Sequence, residues 1–238
     1  MVVVRSETAP RSRAWVLLDP KGAFASVVAK PMAVATLAVM LGCALLPPIT
    51  FLARGDVAAV VAKEMKKSGR MDQVTAEQRD SAMQMASKVM TVALPVGALS
   101  KRIGWIFLLT ALCFGLMRGQ KPELKFGPLL GAVALAAAPL AVHDVLTGAR
   151  FLVADLMTVD LQNAVLSNPA AWLSMETGRT VAGTLLRGLD LFDLWACVLV
   201  GIGASAVAQS RSIVPYVVSF GAHGLGTLIA LAGVAMRP

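Results

Sequence analysis

The sequence predicts an all-α, polytopic integral membrane protein with about five transmembrane helices and additional amphipathic surface helices. Hydrophobic residues make up 57% of the 238-residue chain, charged residues only 15%, and the mean hydropathy is +0.71. A water-soluble domain carries more charge than this, and here the apolar residues gather into charge-free runs long enough to cross a bilayer. The polar stretches between these runs are therefore predicted to be extramembrane loops.

Residues 1–30 are predicted to form a solvated tail followed by an amphipathic segment. Pro20 suits a first helical turn, and Phe24, Val27 and Val28 recur at the i, i+3, i+4 spacing of one helix face. We expect this helix to lie on the membrane surface beside the first span, with an irregular linker as the alternative. The tail lacks the long apolar stretch and the small-residue cleavage site of a signal peptide.

The first three spans are predicted from apolar runs, which lie at residues 31–53, 96–117 and 126–143. A helical extramembrane loop at residues 54–95 is predicted to join the first span to the second. Lys101 and Arg102 interrupt the second run, and the stretch after them covers only about 22 Å, which is too short to cross. The second helix must therefore begin upstream of both residues. We expect the two basic side chains to snorkel to the interface, with a polar contact inside the bundle as the alternative.

The last two spans are predicted to form an antiparallel helical hairpin, after a loop of surface-lying helices. The loop covers residues 144–188, and the spans cover residues 189–209 and 212–236. Gly201 and Ser205 have small-xxx-small spacing in the fourth span, and Ala222 and Gly226 have it in the fifth. Small residues let helix backbones approach closely. We therefore predict that the two spans pack through these four residues together with Ala208 and Ala230.

Ionisable residues at or near membrane depth are the candidate functional residues, and they are His143, Asp144, Arg187, Asp190, Asp193 and His223. Such residues are costly inside a bilayer and are functional candidates by default. Asp190 and Asp193 are three residues apart and are predicted to share a helix face at the entrance of the fourth span. Arg187 has the same spacing from Asp190, so an interfacial ion pair is its structural interpretation.

The two histidines have structural interpretations as well. His223 stands between two glycines, and no acidic residue accompanies it in the fifth span. We expect its ring to hydrogen-bond a backbone carbonyl across a close helix contact rather than to relay protons. His143 and Asp144 follow the third apolar run and are interpreted as marking the interface.

The sequence contains no recognisable catalytic or cofactor motif. It has two histidines, no HExxH, no GxSxG and no phosphate-binding glycine loop with its lysine. The three cysteines lie in separate apolar runs without metal-ligand spacing. The net charge of +8 is scattered rather than gathered in a patch, so lipid headgroups and topology explain it better than nucleic acid does. We predict no enzymatic activity, no cofactor, no metal and no nucleic-acid partner.

Two short segments carry a resemblance to a known family. They are residues 18–24, followed by Lys30 and Pro31, and residues 189–195, followed by Gly201 and Gly203. In these segments, and in the order of its spans, the chain resembles the bacterial branch of the Yip family, which is related to eukaryotic Ypt/Rab-GTPase-interacting proteins. The resemblance implies five spans, a cytoplasmic N-terminus and no enzymatic activity. It also implies trafficking roles for eukaryotic members and accessory roles beside export machinery for some bacterial ones.

The predicted function is that of a non-catalytic scaffold or accessory subunit that binds other membrane proteins, for example components of an ABC-type export system. The predicted partners are the lipid bilayer, such membrane proteins and a second copy of the chain, and the predicted location is the bacterial inner membrane. The alternative is a small-solute transporter or channel with Asp190 and Asp193 in the pathway. The distribution of basic residues leaves the orientation open. The segments on the N-terminal side of the membrane hold fewer basic residues than those on the other side, and this count opposes the cytoplasmic N-terminus that the resemblance implies.

Overall fold

The computed structural model describes residues 16–29, 33–55, 57–60, 62, 76–161, 163–173 and 180–236. Its principal helices are α1 (Pro20–Ala29), α2 (Ala33–Arg54), α3 (Ala76–Arg118), α4 (Phe126–Ala136), α5 (Ala138–Val153), α6 (Val181–Arg187), α7 (Leu191–Ala208) and α8 (Val214–Ala235). No β-strand occurs among the described residues, so the predicted all-α class is confirmed. The predicted tail up to residue 15 and the middle of the predicted loop, residues 63–75, lie outside the described residues.

Within the described part of the chain, five helical segments are long and apolar enough to cross a membrane, and they are Ala33–Arg54, Met83–Arg118, Phe126–Val153, Leu191–Ala208 and Val214–Ala235. The chain is therefore a multi-pass membrane protein, as predicted. Successive spans run in opposite directions. We call the end where α2 finishes and α7 begins the upper end, and the end where α3 finishes and α7 stops the lower end.

Helix α1 is present as predicted, but its apolar face packs into the bundle rather than onto lipid. Ala23, Phe24 and Val27 are all buried in the main core. A Cβ atom added to Gly203 of α7 would lie 2.6 Å from the ring of Phe24, so only a glycine admits the ring there. The fourth span supplies the groove that buries this apolar face, and the position of the helix at the membrane surface stays a prediction.

The second span belongs to one long helix, α3, rather than to a separate segment at residues 96–117. The helix runs continuously through Pro95 from Ala76, and its 43 residues cover about 64 Å. A hydrocarbon core is about 30 Å thick, so the first half of α3 must extend beyond it. The last part of the predicted loop and the predicted span thus belong to one helix, because charged residues outside the bilayer are compatible with the same continuous helix.

The third span consists of two helices, α4 and α5, interrupted at Ala137. Pro139 lies in the first turn of α5. A backbone N–H at this position would have no acceptor within the helix, so the missing N–H of proline costs no helical hydrogen bond. The helix continues to Val153, beyond the predicted end of the span at residue 143, so His143 and Asp144 lie within α5. The charge of Asp144 does not end the helix because a neighbouring helix supplies a counter-charge.

The hairpin of α7 and α8 is confirmed, but its packing differs from the prediction. A Cβ atom on Gly201 would overlap the ring of Tyr216, and the Ser219 hydroxyl donates to the Cys197 carbonyl at 3.0 Å. Ser205 also lies at the turn of the hairpin, and Ala222 packs against the core.

Gly226 was wrongly predicted to be part of this seam. It is exposed, and an added Cβ atom would meet nothing within 4 Å. The register explains the difference. Gly201 lies opposite Tyr216 in this antiparallel pair. The part of α8 that carries Gly226 therefore lies beyond the first residues of α7 and has no turn of α7 beside it.

Candidate functional site

The strongest candidate site is a cavity of about 370 Å³ at the upper end of the bundle. Helices α2, α3, α5, α6 and α7 line it, together with Asn168 from the segment before α6. Its charged or titratable lining residues are Lys101, Arg102, His143, Asp144, Arg187, Asp190 and Asp193. The structure therefore brings five of the six predicted polar candidates to one place, and His223 is the exception.

The depth of the cavity follows from the helices that line it. At about 1.5 Å per residue, Arg102 lies about 24 Å above the lower end of α3 at Arg118. Asp144 lies about 27 Å above Phe126 by the same measure. Because the hydrocarbon core is about 30 Å thick, these charges lie near its upper boundary. The cavity is thus a polar recess at the upper edge of the bilayer.

Arg102 and Asp144 form an ion pair between α3 and α5. Arg102 Nη2 lies 2.5 Å from Asp144 Oδ2, and the two side chains are 10% and 15% exposed. The prediction that Arg102 snorkels to the interface was wrong, and the alternative of a polar contact within the bundle is correct. A paired guanidinium avoids most of the cost of a lipid-exposed charge, because the carboxylate replaces part of its lost hydration.

Two polar atoms beside this ion pair have no hydrogen-bond partner among the described residues. They are Arg102 Nη1 and the hydroxyl oxygen of Thr147, and both are buried on residues that line the cavity. Buried donors in native proteins are satisfied by protein, ordered water or ligand. Both atoms therefore indicate where a polar group from outside the chain would be stabilised.

Asp190 has a structural role at the start of α7. Its carboxylate accepts hydrogen bonds from the backbone N–H groups of Phe192 at 2.9 Å and Asp193 at 3.3 Å, which is the N-cap geometry. The other carboxylate oxygen accepts from the Ser167 hydroxyl and, at 3.5 Å, from the Asn168 amide. The side chain thus caps α7 and ties the preceding segment to it. The predicted ion pair between Asp190 and Arg187 stays a prediction.

Asp193 differs from Asp190 although both line the cavity. It is half-buried in the first turn of α7, and within the described chain its carboxylate has no hydrogen bond or ion pair. Lys101 is exposed on α3 and likewise forms no ion pair with a described residue. The two acids face the same cavity, but only Asp193 lies within the helix, because Asp190 has extended backbone angles and precedes it.

Of the two histidines, only His143 lines this cavity. The His143 ring contacts the Phe192 ring edge to face, with centroids 5.5 Å apart, so His143 joins α5 to α7 beside the cavity. His223 Nε2 lies 2.7 Å from the carbonyl oxygen of Gly188, outside the cavity. The predicted hydrogen bond from His223 to a backbone carbonyl is therefore confirmed.

No family model matches this chain, no curated protein matches it, and no solved structure matches it. The resemblance to the Yip family therefore stays a prediction. The described residues contain no group of three or more His, Cys, Asp and Glu side chains that could hold a metal ion.

Sequence reasoning missed Arg102, Thr147, Ser167 and Asn168 as site residues. For Arg102 a signal was present, since a basic residue inside an apolar run needs either an interface or a partner. Thr147 follows Asp144 by three residues and so shares its helix face. Ser167 and Asn168 carried no signal, because their contact with Asp190 joins parts of the chain more than twenty residues apart.

Proposed function

We propose that this protein binds a small polar solute in the upper cavity and moves it across the membrane. The observation that supports this proposal is a polar recess in a membrane bundle in which Asp193, Lys101 and Arg102 Nη1 are not paired within the described chain. Charged groups at membrane depth are retained at a cost, and those without internal partners mark solute pathways.

The shape of the cavity fits a small ligand. Its volume of about 370 Å³ lies within the usual range for small-molecule sites. Ala44, Pro47, Pro48 and Leu140 supply an apolar part of the lining beside the charged groups. A few convergent polar groups against an apolar wall are typical of sites that orient a small molecule.

Interruptions in the lining helices support a transport step. The third span is broken at Ala137, and α2 contains Pro47 and Pro48 next to the cavity. Discontinuous helices beside a ligand site are a feature of transporters, since they can rearrange around a fixed ligand. Below the cavity, the apolar core around Leu109 and Val133 closes the path. In the proposed transport cycle this arrangement is the state open toward the upper end.

Reconstitution of the protein alone tests this proposal. Proteoliposomes are diluted into iso-osmotic glycerol, urea, glycine and 4-aminobutyrate, and swelling is followed by light scattering. We expect at least one solute to enter faster than into empty liposomes. Asp193→Asn should slow that entry at least tenfold, whereas Asp155→Asn, outside the cavity, should not. Equal rates in protein-containing and empty liposomes for every solute would count against transport.

A second candidate function is the scaffold or accessory role predicted from the sequence. The specific observation in its favour is an exposed face of small residues on α3. At Gly97, Gly104 and Gly115 an added Cβ atom would meet nothing within 4 Å, and only 11% of the apolar window of α3 is buried. Small residues on a lipid-facing helix allow another helix to approach closely.

This second candidate includes the proposed Yip-family membership, the bacterial inner membrane and a cytoplasmic N-terminus. Its test is purification in mild detergent followed by mass spectrometry. A stoichiometric membrane partner, such as an ABC exporter component, should be retained by the wild-type chain and lost in Gly104→Leu. Gly221→Leu on α8, also exposed and open, is the matched control.

A further inference from the structure

We infer that the cavity takes a zwitterionic solute, a small molecule with a carboxylate at one end and an ammonium group at the other. The inference rests on the proposed solute function and adds the chemical class of the solute. It follows from the balance of charges in the cavity, from the two helices that carry the unpaired groups, and from the apolar residues that share the lining.

The charges that line the cavity balance one another. The basic residues are Lys101, Arg102 and Arg187, and the acidic residues are Asp144, Asp190 and Asp193. Asp144 is paired with Arg102, and Asp190 is held by the N-cap hydrogen bonds. The groups left for a ligand are thus a carboxylate on α7, an ammonium on α3 and the free Nη1 of Arg102. A net anion would face an unmatched Asp193, and a net cation would face an unmatched Lys101.

The unpaired charges stand on two different helices that line the cavity, Lys101 and Arg102 on α3 and Asp193 on α7. Helix α5 contacts both of these helices, α3 through the pair of Asp144 with Arg102 and α7 through the ring of His143 against Phe192. A ligand whose own charges are separated satisfies the groups of both helices at once, while an ion with one charge leaves those of one helix unsatisfied.

The ligand's carboxylate would lie beside Arg102, where the unpartnered Nη1 and the unpartnered hydroxyl of Thr147 can both donate to it. Its ammonium would lie beside Asp193. The apolar wall formed by α2 residues, Pro47 and Pro48 among them, would contact the methylene groups between the two charges. An ω-amino acid has this arrangement of groups.

Isothermal titration of the full-length protein in nanodiscs tests the inference with ligands matched in size. The zwitterions run from glycine to 6-aminohexanoate, with butyrate and butylamine as the singly charged counterparts of 4-aminobutyrate. We expect at least one zwitterion to bind at least tenfold more tightly than either singly charged compound. Each charge-assisted hydrogen bond to a ligand is of a size that gives such a difference.

Two variants make the expectation specific. Asp193→Asn should weaken zwitterion binding at least tenfold. In this variant the affinity for butyrate should equal or exceed the affinity for 4-aminobutyrate. Lys101→Gln should shift the preference toward butylamine. Asp155→Asn should match the wild type, and melting curves show whether each variant is folded.

The outcomes separate the two proposals. Tight binding of butyrate or butylamine alone would overturn the zwitterion class and leave a solute site in place. Failure of the folded wild type to bind any of these zwitterions, butyrate or butylamine would overturn both the inference and the proposed solute function. Zwitterion binding that Asp193→Asn does not change would place the ligand elsewhere and so overturn the inference.

Discussion

Replacing Asp144 with alanine should destabilise the bundle, because Arg102 would stay buried without its carboxylate partner. Only 10% of the Arg102 side chain is exposed, and its Nη2 lies 2.5 Å from Asp144 Oδ2. Loss of one partner from a buried ion pair costs about 3–5 kcal/mol. The neighbouring cavity admits some water, so we expect about 3 kcal/mol, which is about a hundredfold in the unfolding equilibrium.

The assay is equilibrium unfolding in mixed micelles with increasing denaturing detergent, followed by circular dichroism. Asp155→Ala is a control that removes an exposed acid outside the cavity and should cost less than about 1 kcal/mol.

The double variant Arg102→Met with Asp144→Leu separates loss of the ion pair from loss of packing. It removes both charges and should fall within about 1 kcal/mol of the wild type, because apolar residues can replace a buried pair. The reasoning would be refuted if Asp144→Ala were as stable as the wild type, or if the double variant were as unstable as the single one.

Three further predictions concern the start of α7 and the packing of α8. Asp190→Ala should cost about 1–2 kcal/mol through loss of the N-cap, and Asp190→Asn, which retains an acceptor oxygen, should cost less; equal losses would contradict the capping role. Gly201→Leu should lower the melting temperature in detergent while Gly226→Leu leaves it unchanged, because an added side chain meets an aromatic ring at the first position and open space at the second. The reverse order would contradict the hairpin register. His223→Ala should cost about 1 kcal/mol through the lost hydrogen bond to a backbone carbonyl, and His223→Gln should restore part of it; no loss in either variant would show that this bond is not stabilising.

The spans could be predicted because a membrane-crossing helix must be apolar along its whole length, and this is a local property of the sequence. The run that begins near Leu191 shows it clearly, and the helix found there ends at Ala208, close to the predicted boundary. The continuous helix through Pro95 could not be predicted in the same way. Whether a proline ends a helix depends on the contacts of the surrounding turns, which composition does not report.

The site was predictable only in part, because partners across the bundle are not visible in sequence. His143 and Asp144 were placed at a helix end, since a lone charge is costly in lipid, but Arg102 removes much of that cost. Asp190 and Asp193 were treated as equivalent by spacing. Their roles differ because the first caps the helix with a non-helical backbone, whereas the second lies within its first turn.

The most direct test of the account is whether the upper cavity is accessible to water from one side of the membrane. A cysteine in place of Ala98, which lines the cavity, is treated in sealed vesicles with a membrane-impermeant, negatively charged thiol reagent. Leu166→Cys marks the upper end, Gln120→Cys marks the lower end, and Ala132→Cys is a buried control. We predict that Ala98→Cys reacts from the side that labels Leu166→Cys and not from the other. An unreactive Ala98→Cys, or one labelled from the side of Gln120→Cys, would contradict a polar cavity open at the upper end.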